Sequence, residues 1–169
     1  MTETLKGKPL TEKVKKERIR EEIGRLKKVK SQFDGDVYHT GAHLELVLIT
    51  FERWLGYYNR DKENVIEGES DVRRAYRLTL LEGMGVDQNF SEVIEETGTK
   101  LVFRSTNFCP ILEACKELGL ETKKICKLIY EPSLDKIARV INPKMQFTRD
   151  YDKIRPDCKY CEETFFILP

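Results

Sequence analysis

The hydrophobic period of this chain changes part-way along, and that change limits what it can fold into. Up to residue 82 the apolar residues recur at helical steps. From residue 90 two short runs, "FSEVIEE" and "KLVFRST", are rich in β-branched and aromatic residues and are joined by "TGT", a hairpin signal with glycine at the turn. Helical spacing then returns, and "KMQFTRDY" and "CEETFFIL" end the chain as two further strand candidates. Strands grouped as hairpins, with helices grouped between and before them, predict an α+β fold. The expected architecture is an antiparallel sheet of two hairpins packed against a layer of helices.

The individual helices follow from spacing and caps. Residues 11–31 carry one apolar stripe, Val14, Ile19, Ile23, Leu26 and Val29, with Thr11 as N-cap and "FDGD" at 33–36 as the break. Residues 40–58 are apolar over most of a helical circumference, which predicts a central buried helix or a subunit interface, and hence a homodimer. Ser70 caps a third helix whose face carries Val72, Ala75, Tyr76, Thr79 and Leu80. Helical pieces follow at 109–118, 122–130 and 133–141, separated by Gly119 and by Glu131-Pro132, with Ser133 as the last N-cap. The 169 residues have the length of one domain, read as a helical part over 1–82 and a cysteine-bearing hairpin-helices-hairpin part over 88–169.

Charge and composition remove several function classes. The formal net charge is +1, so no global field recruits nucleic acid or an anionic membrane. Residues 1–30 hold eleven Lys or Arg against five Glu, which reads as a solvated helix face. No stretch approaches the ~20 apolar residues of a membrane span, and the first residues carry no apolar signal segment. A cytoplasmic protein is expected, with its five cysteines as thiols or metal ligands rather than disulfides. No P-loop, G-x-G-x-x-G or G-x-S-x-G is present, so nucleotide chemistry is not expected.

The cysteines carry the chemistry. Cys109 precedes Pro110, a residue favoured at the first helical position, so Cys109 becomes an N-cap. Unpaired amides and the helix dipole stabilise a thiolate there, which suits a nucleophile or a metal ligand; a small packed side chain is the alternative. Cys115 lies on the apolar stripe, about 240° around the helix from Cys109, and reads as core. Cys126 borders an apolar face and fits either role. Cys158 and Cys161 form a C-x-x-C, half of a tetrahedral zinc or iron site, which Cys109 or Cys126 would have to complete. The two histidines, His39 and His43, are four residues apart and are the side chains whose ordinary pKa suits proton transfer near neutrality. Glu113, Glu131, Glu162 and Glu163 lie near cysteines in sequence and are candidate general bases.

The segments "FCPILEACKELGL", "ICKLIYEPS" and "INPKMQFTRDYDKIRPDCKYCEETFFIL" resemble the C-terminal half of the L-2-amino-thiazoline-4-carboxylic acid hydrolase family. The shared features are Cys-Pro opening a helix, a cysteine in the next helix, an Asn-Pro-Lys turn before a Phe-x-Arg strand, and a last strand entered by Cys-Glu. A remoter likeness is to 4-vinyl reductase-like small-molecule-binding domains. The first resemblance implies hydrolytic opening of a cyclic amidine-like ring, with Cys109, Cys126 and Cys161 at the family-matched positions. The second implies an α+β ligand pocket used for sensing. The resulting candidates are Cys109, His43 and Glu113 for catalysis, and Cys126, Glu131 and Arg149 for a small-molecule ligand. Zinc or iron would fall on Cys109, Cys126, Cys158 and Cys161.

Overall fold

The structure, a computed structural model, describes residues 10–33 and 41–169. Helix α1 spans Glu12–Phe33 and α2 spans Gly41–Asp61. Helix α3, Asp71–Tyr76, runs on as a π-helical stretch over Arg77–Gly83. Strands β1, Ser91–Glu96, and β2, Lys100–Ser105, form the first hairpin. Helix α4 spans Pro110–Leu118; α5, Thr122–Ile125, passes through a second π-helical stretch, Cys126–Tyr130, into α6, Glu131–Ile141. Strands β3, Met145–Arg149, and β4, Cys161–Ile167, complete a four-stranded antiparallel sheet of order β1-β2-β4-β3. The mixed helix and antiparallel-sheet architecture is that read from the sequence pattern. Among the described residues no helix is long and apolar enough to cross a membrane.

Local chemistry accounts for most element ends. Ser70 Oγ accepts the Arg73 amide at 3.3 Å and starts α3. Gly119, at φ 66°, closes α4, and the Leu120 amide donates back to the Cys115 carbonyl at 2.9 Å. The proline step was expected to separate two helices, but the chain stays helical across it. An internal proline removes one helical hydrogen bond and crowds the preceding turn. Here the wider π turn lies directly before Glu131-Pro132. Ser133 is therefore not a cap: its hydroxyl lies 2.6 Å from the Ile129 carbonyl and 3.1 Å from that of Val47, and joins α6 to α2. Helix α2 is also less central than its composition suggests. Leu46, Val47, Thr50 and Trp54 are buried, while Leu44 and Leu48, one turn apart, stay exposed. The break expected at 33–36 lies, beyond Phe33, outside the described residues.

Among the described residues, helices cover one face of the sheet. On β2 the buried residues alternate, Leu101, Phe103 and Ser105. They share that face with Met145 and Phe147 of β3 and Glu163 and Phe165 of β4. The apolar part packs against Trp54, Val72, Tyr76, Leu134 and Ile137, forming the first core cluster. Edge strand β3 is closed by α6: Glu131 accepts the Arg149 amide and Asp135 the Phe147 amide, each at 3.0 Å. A second cluster joins α1, α2, α4 and the Cys126–Tyr130 stretch through Leu26, Val29, Val47, Ile111, Cys115 and Ile129.

Candidate functional site

A cavity lies where the two clusters meet. Trp54, Leu80 and Leu134 belong to the first cluster, Ile111, Cys126, Tyr130 and Ile154 to the second, and all of them line it. The sheet contributes its polar end: Ser105, Arg149, Cys161 and Glu163. Both π-helical stretches reach the cavity, the first with Leu80 and the second with Cys126 and Tyr130. The cavity volume, counted by the centres of water-sized spheres, is about 50 Å³. That corresponds to roughly four waters or a compact organic molecule.

Strand register builds the charged part. Arg149 and Glu163 face each other across β3 and β4. Arg149 Nε donates to Glu163 Oε1 at 2.6 Å, and Ser105 Oγ lies 3.3 Å from Glu163 Oε2. The side chains of Arg149 and Glu163 are only 10% and 5% exposed. Burial works against the charge on Arg149, but the surrounding groups, Glu163 foremost with Cys126 and Tyr151, together outweigh it and hold the guanidinium protonated. A second guanidinium, Arg155, enters from the β3–β4 connection. Its Nη1 donates to the Asn107 carbonyl at 2.6 Å and its Nε to Cys161 Sγ at 3.5 Å.

Three of the five thiols come together here: Cys109, Cys126 and Cys161 line the cavity. Cys109 is the N-cap of α4, with Pro110 following. The thiolate expected from that position is not what the environment favours. Burial pushes the Cys109 thiol up, against the Leu112 amide and the Arg155 guanidinium, which act the other way. Burial also pushes Cys126 up, with Arg149 opposing. Cys115 sits in the second core cluster with its thiol pushed up to about 12 by burial. The C-x-x-C is split: Cys161 faces the cavity and Cys158 does not line it.

The other expected residues are elsewhere. Glu113 points away on α4 and pairs with Lys116 at 2.9 Å. His43 lies in the first turn of α2 and does not line the cavity, and His39 lies outside the described residues. Glu131 contacts the backbone of Arg149 without lining the cavity. Among the described residues no group of three or more His, Cys, Asp or Glu side chains is placed to hold a metal ion. Two guanidiniums share the cavity, and their charge works against a cation there. Among the described residues, the cavity offers zinc or iron no such group of ligands.

Sequence reasoning missed Arg155, Trp54 and Ser105, and gave Glu163 only a general-base role. A signal for Glu163 was present: it shares strand alternation with Phe165, which puts a carboxylate on the covered face. Arg149 alternates in the same way with Met145 and Phe147. Nothing local marks Arg155. Comparison of the chain with family models, with curated proteins and with solved structures gave no match.

Proposed function

We propose that this chain is a small-molecule-binding domain that acts as a sensor or scaffold, with its ligand in the cavity between the two core clusters. The observation that carries this is the pair of π-helical stretches. Seven residues after α3 and five after α5 give up α-geometry, and both stretches line the same cavity. Such segments are rare and concentrate at functional sites. Apolar walls with a few convergent polar groups are the usual make-up of a ligand pocket. The remote likeness to 4-vinyl reductase-like domains points the same way.

A screen of small organic compounds by thermal shift tests this. A ligand at 100 times its Kd adds about 2.7 kcal/mol, which raises the melting temperature by roughly 5–10 °C for a chain of this size. Cys126→Leu intrudes on the cavity and should remove the shift. A screen with no stabilising compound, or a shift that survives in Cys126→Leu, would overturn the proposal.

Hydrolysis of a small cyclic amidine or thiazoline is a second reading, favoured by one observation: Cys109, at the N-cap of α4, opens into this cavity. It requires product formation that Cys109→Ser abolishes, where the first reading requires binding without turnover. The proton carrier would be Glu163, the one carboxylate lining the cavity among the described residues, which is held by Arg149 and Ser105.

A further inference from the structure

The lining of the cavity is not evenly buried. Ile111, Cys126, Tyr130 and Leu134 line it and are buried, whereas Asn107, Cys109, Arg155 and Cys161 line it and keep some exposure. Those four fall on three neighbouring pieces of chain: the segment leading from β2 into α4, the β3–β4 connection, and the first residue of β4. Ser105 at the end of β2 and Cys161 at the head of β4 are register partners, so two of these pieces start from one point of the sheet. The mouth of the cavity lies between them, and Arg155 crosses it. Its Nη1 donates to the Asn107 carbonyl at 2.6 Å on one side, and its Nε to Cys161 Sγ at 3.5 Å on the other. The two anchors are unequal, because a thiol sulfur is a weak acceptor beside a carbonyl oxygen. The other guanidinium of the cavity, Arg149, is fixed by the Glu163 carboxylate. Freeing Arg155 requires two hydrogen bonds to exchange for water and one side chain to rotate, with no strand or helix displaced. Openings of this kind lie at the low end of the local stability range.

We propose that Arg155 is a strap across the mouth of the cavity, closed in this structure and released to admit a ligand. On release the guanidinium leaves the Asn107 carbonyl and the Cys161 sulfur, and the side chain swings out on the β3–β4 connection while the sheet and helices stay in place. This rests on the reading of the cavity as a ligand site and adds its route of entry and the residue that controls it.

The thiols of the chain supply the test. Cys126, on the buried wall, reports entry to the cavity. Cys115 in the core and Cys158, which does not line the cavity, are the controls. The cation that acts on the Cys126 thiol is Arg149, so a faster reaction without Arg155 reports access. The full chain is treated with iodoacetamide, and alkylation at each cysteine is timed by peptide mass spectrometry. Arg155→Ala and Arg155→Met should each speed the reaction of Cys126 about tenfold, the effect of losing one hydrogen bond from a charged group, with Cys115 and Cys158 unchanged. Arg155→Met keeps most of the bulk and loses both bonds, which separates a strap from a plug. Arg155→Lys keeps a cation without the fork that reaches both anchors and should fall between. An unchanged Cys126 rate would overturn the proposal, as would a rise in Arg155→Ala that Arg155→Met does not share. A rise that Cys115 matches would mean general loosening and would overturn it too. Should Arg155→Ala fail to fold, Arg155→Met decides. If the compound screen finds ligands while the Cys126 rate stays level, the strap fails and the ligand site stands. If the rate rises as stated and the screen finds no ligand, the strap stands and the ligand reading falls.

Discussion

Glu22 occupies a place on α1 where the apolar stripe calls for a hydrophobic side chain, three residues after Ile19 and four before Leu26. It is 2% exposed, yet its charge is fully engaged. Oε1 accepts from Arg25 and from Arg53, both at 2.8 Å, and Oε2 accepts from the Tyr130 hydroxyl at 2.5 Å. Three elements, α1, α2 and the second π stretch, thus meet on one carboxylate. Breaking such a group by removing one partner is worse than never having buried it. Glu22→Gln, which strands two partly buried guanidiniums, should cost about 2–4 kcal/mol in urea unfolding. Tyr130→Phe removes a single hydrogen bond and should cost about 1 kcal/mol. Equal and small losses for the two would show that the network is worth no more than a surface ion pair. Burial of Glu22 was not legible in the sequence, because its two longest-range donors come from residues 53 and 130.

At the scale of elements, the π stretch over Arg77–Gly83 ends on a glycine that its surroundings require. A Cβ at Gly83 would stand 2.8 Å from the Leu78 carbonyl oxygen, 2.9 Å from Tyr57 Cδ2 and 3.2 Å from Trp54 Cζ3. The nearest atom is backbone and cannot rotate away. Gly83→Ala should destabilise by about 1–3 kcal/mol and displace the Trp54 wall of the cavity. Chemical unfolding, together with the fluorescence of this single tryptophan, reads both effects. A neutral substitution with unchanged emission would mean the π stretch is free to relax. In the sequence Gly83 lies in "EGMGVDQ", which by itself reads as a glycine stop signal, and Glu131-Pro132 reads as a helix break. The helix does end at Gly83, after a widened turn, whereas at Glu131-Pro132 a widened turn carries the chain on as helix. Local propensity describes where α-geometry is strained; it does not say whether packing on both sides will hold the chain helical through the strain.

For the whole molecule, buried acids other than carboxylates dominate one limb of the pH profile. Burial raises the thiols of Cys109, Cys115 and Cys126 and the hydroxyls of Tyr76, Tyr130 and Tyr151. Each keeps its proton in the folded state at a pH where the unfolded chain has lost it. The native state then binds more protons, so stability is full below the ordinary thiol range and falls as pH rises through it and through the tyrosine range. Each such group contributes a slope of about 1.4 kcal/mol per pH unit while its two states differ. Urea midpoints should therefore drop between pH 9 and 11, and Cys115→Ala should flatten the start of the drop. A level midpoint across that range would show that these groups ionise without unfolding. The sequence by itself determined the class of the fold, because hydrophobic period and turn chemistry are local and each segment carries its own. It also marked Cys109, Cys126, Cys161 and Arg149, the candidates that the cavity gathers. Only the tertiary structure decided which polar groups are buried together: Arg149 with Glu163 across two strands, Arg155 from a connection, and Trp54 from a helix nearly a hundred residues earlier. Desolvation and the pairing of charges depend on neighbours distant in the chain, and it is these neighbours that turn a set of thiols read as metal ligands into the wall of a cationic pocket.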